Sequence, residues 1–424
     1  MKDKEFVKQY NNENYIQQVS VFRLKSEDPS PKNREYDQGL LNDNINHIQI
    51  ISDIMFPLLT ATVKFTDTDN KFIHKIIPDS RCFCRIFIQK VNRHEVEFQF
   101  EHLFIVRDLR LLSKETNTFE LDLVSHYWFN FNNLLVYSTT NNKEPNAKKS
   151  YTEIIYEMMK KSNINIKKPT VQTTLKTSYT TPVNYSLMQS FNDVIKLVDK
   201  DNGIIFLKYN PLDNMYEIIS VKEVFKNHVI KTNNKLIFPT KKTTGDNRRM
   251  LLDTKLTNDI GFQRMVNAAA PQTLKTFSYE DRKWTDVKWT RKKVDDMFYK
   301  PIEKSFVMKY KTVPNFVPAE SRKIEYETLG LNFINSDQYR ELLVSSETVQ
   351  GETDGVLERT AGDLCFLFVD PKNRLVERFL GVWFITRIYH NFSKNTYKNV
   401  LQIGRSDHYG QIGKEESTNR GKNV

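Results

Sequence analysis

IISDIMFPLLTATVKFTDTDNKFIHKIIPDSRCFCRIFI, Ile50 to Ile88, carries the pattern that decides the fold. Ala61, Val63 and Phe65 alternate with Thr60, Thr62 and Lys64. Arg81 to Ile88 sets Cys82, Cys84, Ile86 and Ile88 against Phe83, Arg85 and Phe87. A period of two places alternate side chains on opposite faces, so both stretches read as strands with one face in a core.

Upstream, Tyr15 to Leu24 and His47 to Ser52 also read as strands, separated by a polar loop around Pro29 and Pro31. Downstream, Val96 to Phe100, Leu103 to Leu111 and Thr118 to Ser125 follow at short spacing, with Lys114 to Asn117 as a hairpin turn. Short strands in series predict an antiparallel sandwich or barrel. The period then changes. Ser150 with Glu153 and Ser186 with Gln189 are capping boxes, in which hydroxyl and carboxylate or amide satisfy free backbone amides. Ile154, Ile155, Met158 and Met159 follow the first at helical spacing, and Leu187, Phe191, Val194, Ile195 and Val198 the second, with Gly203 as its left-handed stop. Ile204 to Leu207 and Tyr216 to Ser220 form a hairpin through a loop with Pro211 and Asn214.

From Asn233 to Asn335 five prolines punctuate the chain and no topology can be drawn; a helical run from Ser336 to Val344 follows. Leu364 to Asp370, Gly381 to Tyr389 and Tyr397 to Arg405 then make an apolar meander with turns at Pro371 to Arg374 and Asn391 to Thr396. The fold class is α+β, mainly β. No short fixed repeat is present, which argues against solenoids and propellers.

Composition bounds the function. At 424 residues with 39% hydrophobic and 12% aromatic side chains, the chain can bury several cores. The first 17 residues have no apolar core of signal length, and no uncharged run approaches the ~18 residues of a membrane span, so no secretion signal and no membrane insertion are expected. Cys82 and Cys84 share a strand face, where core packing is a better reading than a metal site because no His or Cys cluster lies near. The net charge of +11 is concentrated: Lys231 to Lys311 holds 19 Lys or Arg against 9 Asp or Glu, a surplus of +10.

Three phrases carry a family resemblance. Ile50 to Ile88, with its Asp-x-Asp-Asn turn, is one; Phe104 to Phe129 extends it. TPVNYSLMQSFNDVIKLVDKDNGIIFLKYNPLDNMYEIIS, Thr181 to Ser220, is the most specific. The third is TAGDLCFLFVDPKNRLVERFLGVWFITRIYHNFSKNTYKNVLQIGRSD, with its Gly362 turn and the run leading to His390. In this order they resemble the baseplate hub protein of T-even phages and the hub portion of type VI secretion VgrG proteins. The resemblance implies two tube-like antiparallel β-barrel domains with helical insertions, forming a pseudo-hexameric ring as a homotrimer that adapts a sixfold tail tube to a threefold central spike. It further implies assembly in the host cytoplasm, a place in the virion tail baseplate, tape-measure and wedge proteins as further neighbours, and a lumen through which DNA passes without specific binding. On this scheme residues 1–16 are an arm, 17–135 the first barrel, 136–235 a helix and hairpin region of the second barrel module, 236–345 a basic inserted domain, 346–412 the closing strands of the second barrel, and 413–424 a mobile tail.

The alternatives are weighed on residues. Lys241, Lys242, Arg248, Arg249, Arg282, Lys283, Arg291, Lys292 and Lys293, interleaved with Trp284, Trp289 and Tyr299, suit phosphate contacts, a solvated face, or an acidic protein neighbour. The last two are preferred, because a strongly basic lumen would hold DNA by counterion release. The eight histidines show no zinc-protease spacing, no Gly-x-Ser-x-Gly elbow is present, and no catalytic, cofactor or metal residue is nominated. The expectation is a structural protein and no enzyme, with a baseplate wall hydrolase or the hub of a type VI-like or extracellular injection machine as alternatives. Wall digestion would fall to a separate spike protein.

Overall fold

A computed structural model describes residues 14–24, 38–40, 44–70, 72–73, 76, 78, 81–92, 95–133, 149–170, 176–177, 185–195, 205–220, 223–224, 227, 229–238, 250–256, 272–278, 283–289, 309–314, 347–369, 379–393 and 396–405. The chain opens with β1 (Asn14–Arg23), β2 (Gln38–Leu40), β3 (Ile45–Asp53), β4 (Phe56–Thr66), β5 (Cys82–Asn92), β6 (Glu95–Ser113) and β7 (Thr118–Ser125). Helix α1 (Tyr127–Asn133), β8 (Lys149–Ser150), α2 (Tyr151–Lys161), β9 (Lys176–Thr177) and α3 (Leu187–Ile195) follow. The hairpin β10 (Ile205–Asn210) and β11 (Met215–Ser220) comes next, then β12 (Lys235–Phe238), β13 (Leu252–Leu256), β14 (Gln272–Ser278), β15 (Lys283–Trp289) and β16 (Lys309–Pro314). The chain closes with β17 (Glu347–Asp354), β18 (Leu364–Val369), β19 (Gly381–Ser393) and β20 (Thr396–Arg405).

The mainly β expectation holds. Thirteen strands form one sheet, whose main path runs β13-β17-β20-β19-β3-β4-β7-β6-β5-β1-β2, with β12 and β18 joined to it through β19. The two strand-rich ends of the sequence are therefore one sheet: β19 pairs antiparallel with β3 from Arg387 opposite Asp53 to Ser393 opposite His47. On its other edge β19 pairs with β20, and its first residues, Gly381 to Phe384, pair with β18.

Local chemistry sets these elements. The alternation in β4 and β5 is realised, with Ala61, Val63, Phe65, Cys82, Cys84, Ile86 and Ile88 all buried on the core side. Asp67 stops β4 by accepting hydrogen bonds from the Phe72 and Ile73 amides (2.8 and 3.0 Å), and Asn70 adopts φ +54°, a backbone state that Asn tolerates better than most residues. Both capping boxes form: Ser150 Oγ accepts from the Glu153 amide while the Glu153 carboxylate accepts from the Ser150 amide, and Ser186 and Gln189 do the same. Ile154, Ile155, Met158, Met159, Leu187, Phe191, Val194 and Ile195 then bury against the first strands in one continuous core.

Four expectations are corrected. Val96 to Phe100 and Leu103 to Leu111 are one 19-residue strand, because Glu101 and His102 stay in register opposite Phe87 and Ile86. The Asn391 to Thr396 turn shrinks, because Asn391, Phe392 and Ser393 remain paired with β20. Strand β17, Glu-Thr-Val-Gln-Gly-Glu-Thr-Asp, was not anticipated, nor was α1. The Gly203 stop, the 336–344 helix, the Pro371 to Arg374 turn, the arm before Asn14 and the tail from Gly413 lie outside the described residues.

Candidate functional site

The face of the large sheet turned away from the core is polar and continuous. Register lines up Lys398, Asn391, Gln49, Thr62, Asp122 and Asp108 across six adjacent strands, β20 to β6. A parallel row runs Thr396, Ser393, His47, Lys64, Glu120 and Arg110. Between these and the Arg387–Asp53 pair lies a less polar row of Val400, Tyr389, Ile51, Thr60, Val124 and Ile105. An antiparallel sheet with one face in the core leaves its other face to water, and this alternation is the sequence cause of that geometry.

Charge on this face is neutralised pair by pair. Lys64 meets Glu120 at 3.5 Å, Arg107 meets Asp122 at 2.5 Å, and Arg110 meets Asp108 at 2.8 Å and Asp122 at 3.6 Å. Arg387 pairs with Asp53, and Lys398 with Glu352. Uncharged side chains join the rows between them: Gln49 Nε2 donates to Asn391 Oδ1 (2.9 Å), and His47 Nδ1 lies 3.3 Å from Ser393 Oγ. Burial, with Lys64 nearby, keeps His47 below its ordinary pKa, so it adds no charge at neutral pH. Exposed pairs of this kind add little stability, roughly 0–1 kcal/mol each. Their consequence is electrostatic: in these pairs five cations face five carboxylates in direct contact, so none of the five is left as an isolated positive charge.

Behind this face the β10–β11 hairpin ties the two ends of the chain together. Toward the opening strands, Tyr216 OH accepts from the Leu59 amide (3.3 Å), and Asn214 Oδ1 meets His102 Nδ1 (3.3 Å). Toward the closing strands, Lys208 Nζ donates to Asp363 Oδ1 (2.6 Å), and Phe206 lies 6.2 Å from Phe384. Lys231 Nζ donates to the other Asp363 oxygen (2.9 Å). Burial alone would raise the Asp363 carboxyl, but the two lysines outweigh it and hold the group below the usual range. Gly362, at φ +94°, brings this turn against the hairpin; a Cβ there would lie 2.8 Å from Ile219.

Nearby, the wholly buried Arg359 donates to Asn233 O twice (3.1 and 2.7 Å), Asp354 O (2.7 Å) and Asn399 Oδ1 (3.3 Å), fastening three segments. Burial lowers its pKa to about 10, which leaves it charged at neutral pH. His390 Nδ1 receives Tyr397 OH (2.8 Å) and Asn399 Nδ2 (3.0 Å), and burial with Arg359 nearby drops its pKa to about 3.

Of the nine basic residues singled out from sequence, Lys283 begins β15, in a three-stranded sheet ordered β15-β14-β16. Lys241, Lys242, Arg248, Arg249, Arg282, Arg291, Lys292 and Lys293 lie outside the described residues. The contact that most resembles a nucleophile and base is Ser125 Oγ to His102 Nε2 (2.9 Å), which no sequence motif marks. Both residues are buried, so it reads as a satisfied core pair rather than a reaction centre. Cys82, Cys84 and Cys365 are free and buried, and burial pushes the Cys84 and Cys365 thiols up.

No family model matches the chain, and no curated protein matches it in sequence. Solved structures do. The tail protein from Neisseria meningitidis MC58 aligns over 94% of this chain and 99% of its own, with a TM-score of 0.51 at 10% identity. The 43 kDa tail protein of prophage MuSo2 from Shewanella oneidensis aligns over 93% and 99%, with a TM-score of 0.49 at 11% identity. A Francisella PdpA-VgrG complex aligns over 94% of this chain and 59% of the other, with a TM-score of 0.47 at 10% identity. The chain has the fold of the Neisseria tail protein along nearly its whole length.

Proposed function

We propose that this protein is a structural component of a contractile tail, a trimeric baseplate hub without catalytic activity, and that the neutral polar sheet face lines its conduit. The observation that carries the reading is the end-to-end fold match to a tail protein. The sheet face supports it independently. A duplex carries one charge per ~1.7 Å and binds basic surfaces by releasing counterions, so a wall that lets it slide must present no run of unpaired cations. Paired lysines and arginines separated by Thr, Asn and Gln meet that requirement.

Subunit contacts fall at the ends of the strands and at the sheet edges. Met55 and Phe129 are exposed at the end where β3 turns into β4 and β7 into α1, and Leu111 and Leu112 are exposed at the opposite end. Among the described residues β2 and β13 end the sheet's main path, and end strands can pair with a neighbouring chain. In this arrangement three copies supply six tube-like modules to a sixfold tube on one side and seat a threefold spike on the other.

Mass photometry of the purified full chain tests the assembly: the expected species has three times the 50.1 kDa chain mass, and a monomer at micromolar concentration rejects it. Thr62→Cys tests the wall separately. The three native thiols are buried, so labelling reports the new one. In the assembled ring a small maleimide should react and a large polymer-linked maleimide should be slowed; equal reaction with both places Thr62 on an outer surface.

A further inference from the structure

His102 lies in the middle of β6 with both ring nitrogens engaged. Nδ1 meets Asn214 Oδ1 at 3.3 Å, and the same oxygen accepts from Tyr209 OH at 2.9 Å. An amide oxygen only accepts, so Nδ1 carries the proton and Nε2 accepts from Ser125 Oγ at 2.9 Å.

The side chains packed on the ring come from every neighbouring element. Phe104 and Phe100 share β6, with centroids 4.8 and 6.3 Å away. His126 and Tyr127 from the β7–α1 corner lie at 5.8 and 6.1 Å, and Tyr209 of the hairpin at 5.8 Å. Ile86 is its partner on β5. The titratable members of this set are His126, Tyr127 and Tyr209, none of which is an anion at neutral or acid pH. His126 Nδ1 donates to Leu103 O (2.9 Å), and a charge on it would oppose one on His102. The nearest carboxylate on the hairpin loop, Asp213, is held by Lys167 at 2.5 Å.

A proton on Nε2 would thus place a full charge in an apolar, aromatic box without a counter-ion. One route to water is short. Asn214, which meets Nδ1, is exposed at the hairpin tip, in the left-handed region at φ +49°. The tip is fastened mainly to the 165–167 segment, through Asn165 Nδ2 to Asn214 O (3.0 Å), Lys167 to Asp213, and backbone bonds from the Tyr216 amide to Asn165 O and from the Lys167 amide to Tyr216 O (both 2.8 Å). The base of the hairpin is fastened separately, through Lys208 and Asp363.

We infer that the β10–β11 tip is an acid-released clasp: protonation of His102 opens the Asn210–Tyr216 turn and hydrates the ring, while the hairpin base and the large sheet stay closed. Burial, and then His126, lower His102 from 6.5 to about 3 when the tip is closed. In the open tip the ring regains its ordinary value. The closed form therefore loses its advantage as pH falls below 6.5, and the opening equilibrium rises about tenfold for each pH unit until the closed-state value is reached. The clasp stands independently of the conduit reading.

Hydrogen exchange of the full chain, followed by mass spectrometry and corrected for the pH dependence of intrinsic exchange, tests it. Between pH 6.5 and 4.5 the segment 209–217 is expected to lose about fiftyfold in protection. His102→Gln, which keeps a donor and an acceptor without a titrating proton, should flatten that response. Unchanged protection at 209–217 in the native protein overturns the inference, as does an acid loss there that His102→Gln leaves intact. Should the glutamine variant not fold, the native-protein comparison still decides the matter.

Discussion

Replacing Asp363 by Asn should loosen the junction between the hairpin and the closing strands. The carboxylate is 7% exposed and holds Lys208 at 2.6 Å and Lys231 at 2.9 Å. Removing one member of a buried ion pair costs about 3–5 kcal/mol, because the remaining charge stays buried without compensation. Lys208 keeps Glu217 at 3.4 Å, and Lys231 is 41% exposed and largely solvated, so the lower figure applies: about 3 kcal/mol. The readout is the denaturant midpoint of the first unfolding transition, with hydrogen exchange of residues 205–220 to locate the loss. The pH dependence has a fixed sign. Asp363 is held below its ordinary 3.8, so its contribution is present above that value and lost as pH falls through the lowered one. The gap between native and variant proteins should therefore close in strong acid. Lys208→Met with Asp363→Leu should recover most of the loss, because the charges it leaves without a partner, Lys231 and Glu217, are partly exposed to water. A cost below about 1 kcal/mol for Asp363→Asn, or a double variant worse than the single one, would refute the claim that this pair fastens the hairpin.

Gly355→Ala should destabilise by about 2 kcal/mol or more, since its Cβ would sit 2.2 Å from the Tyr397 ring, which stacks on Phe392 at 4.1 Å and holds His390; thermal unfolding measures it, and a neutral variant shows that the ring can move aside. Ser150→Ala removes the acceptor for the Glu153 amide and should cost about 1 kcal/mol, read as a lower denaturant midpoint with no change of slope. His390→Asn should remove a stability loss that the native protein suffers as pH falls from 6.5 toward its buried value of about 3, measured by melting at pH 7 and pH 5. Cys82, Cys84 and Cys365 should resist thiol reagents at pH 8 in the folded chain and react on addition of denaturant.

What the sequence revealed and what it hid follow from the range of the interactions involved. Strand β4 was legible because its alternation is local: each residue from Thr60 to Phe65 announces its face. The capping boxes were legible for the same reason, each closing over three residues. Strand β17 was not, because it buries Thr348 and Thr353 and leaves Glu352 facing water, so its letters read as a loop until β20 supplies the register. Asn391 misled in the same way, since a polar residue near a turn is ambiguous until Gln49, 342 residues away in sequence, accounts for it. The junction of β3 with β19 has no local signature at all; it exists because both edges present unpaired backbone groups and matching alternation. The candidate conduit face was hidden by that distance. Its charges are drawn from β3, β4, β6, β7, β17, β19 and β20, and no window of sequence contains both members of the Arg387–Asp53 pair. Sequence composition instead pointed to the surplus of +10 between Lys231 and Lys311, which is the most visible feature of the chain and supplies none of these ion pairs. Neutrality is the feature most easily missed from a sequence, because it depends on which charges end up beside each other.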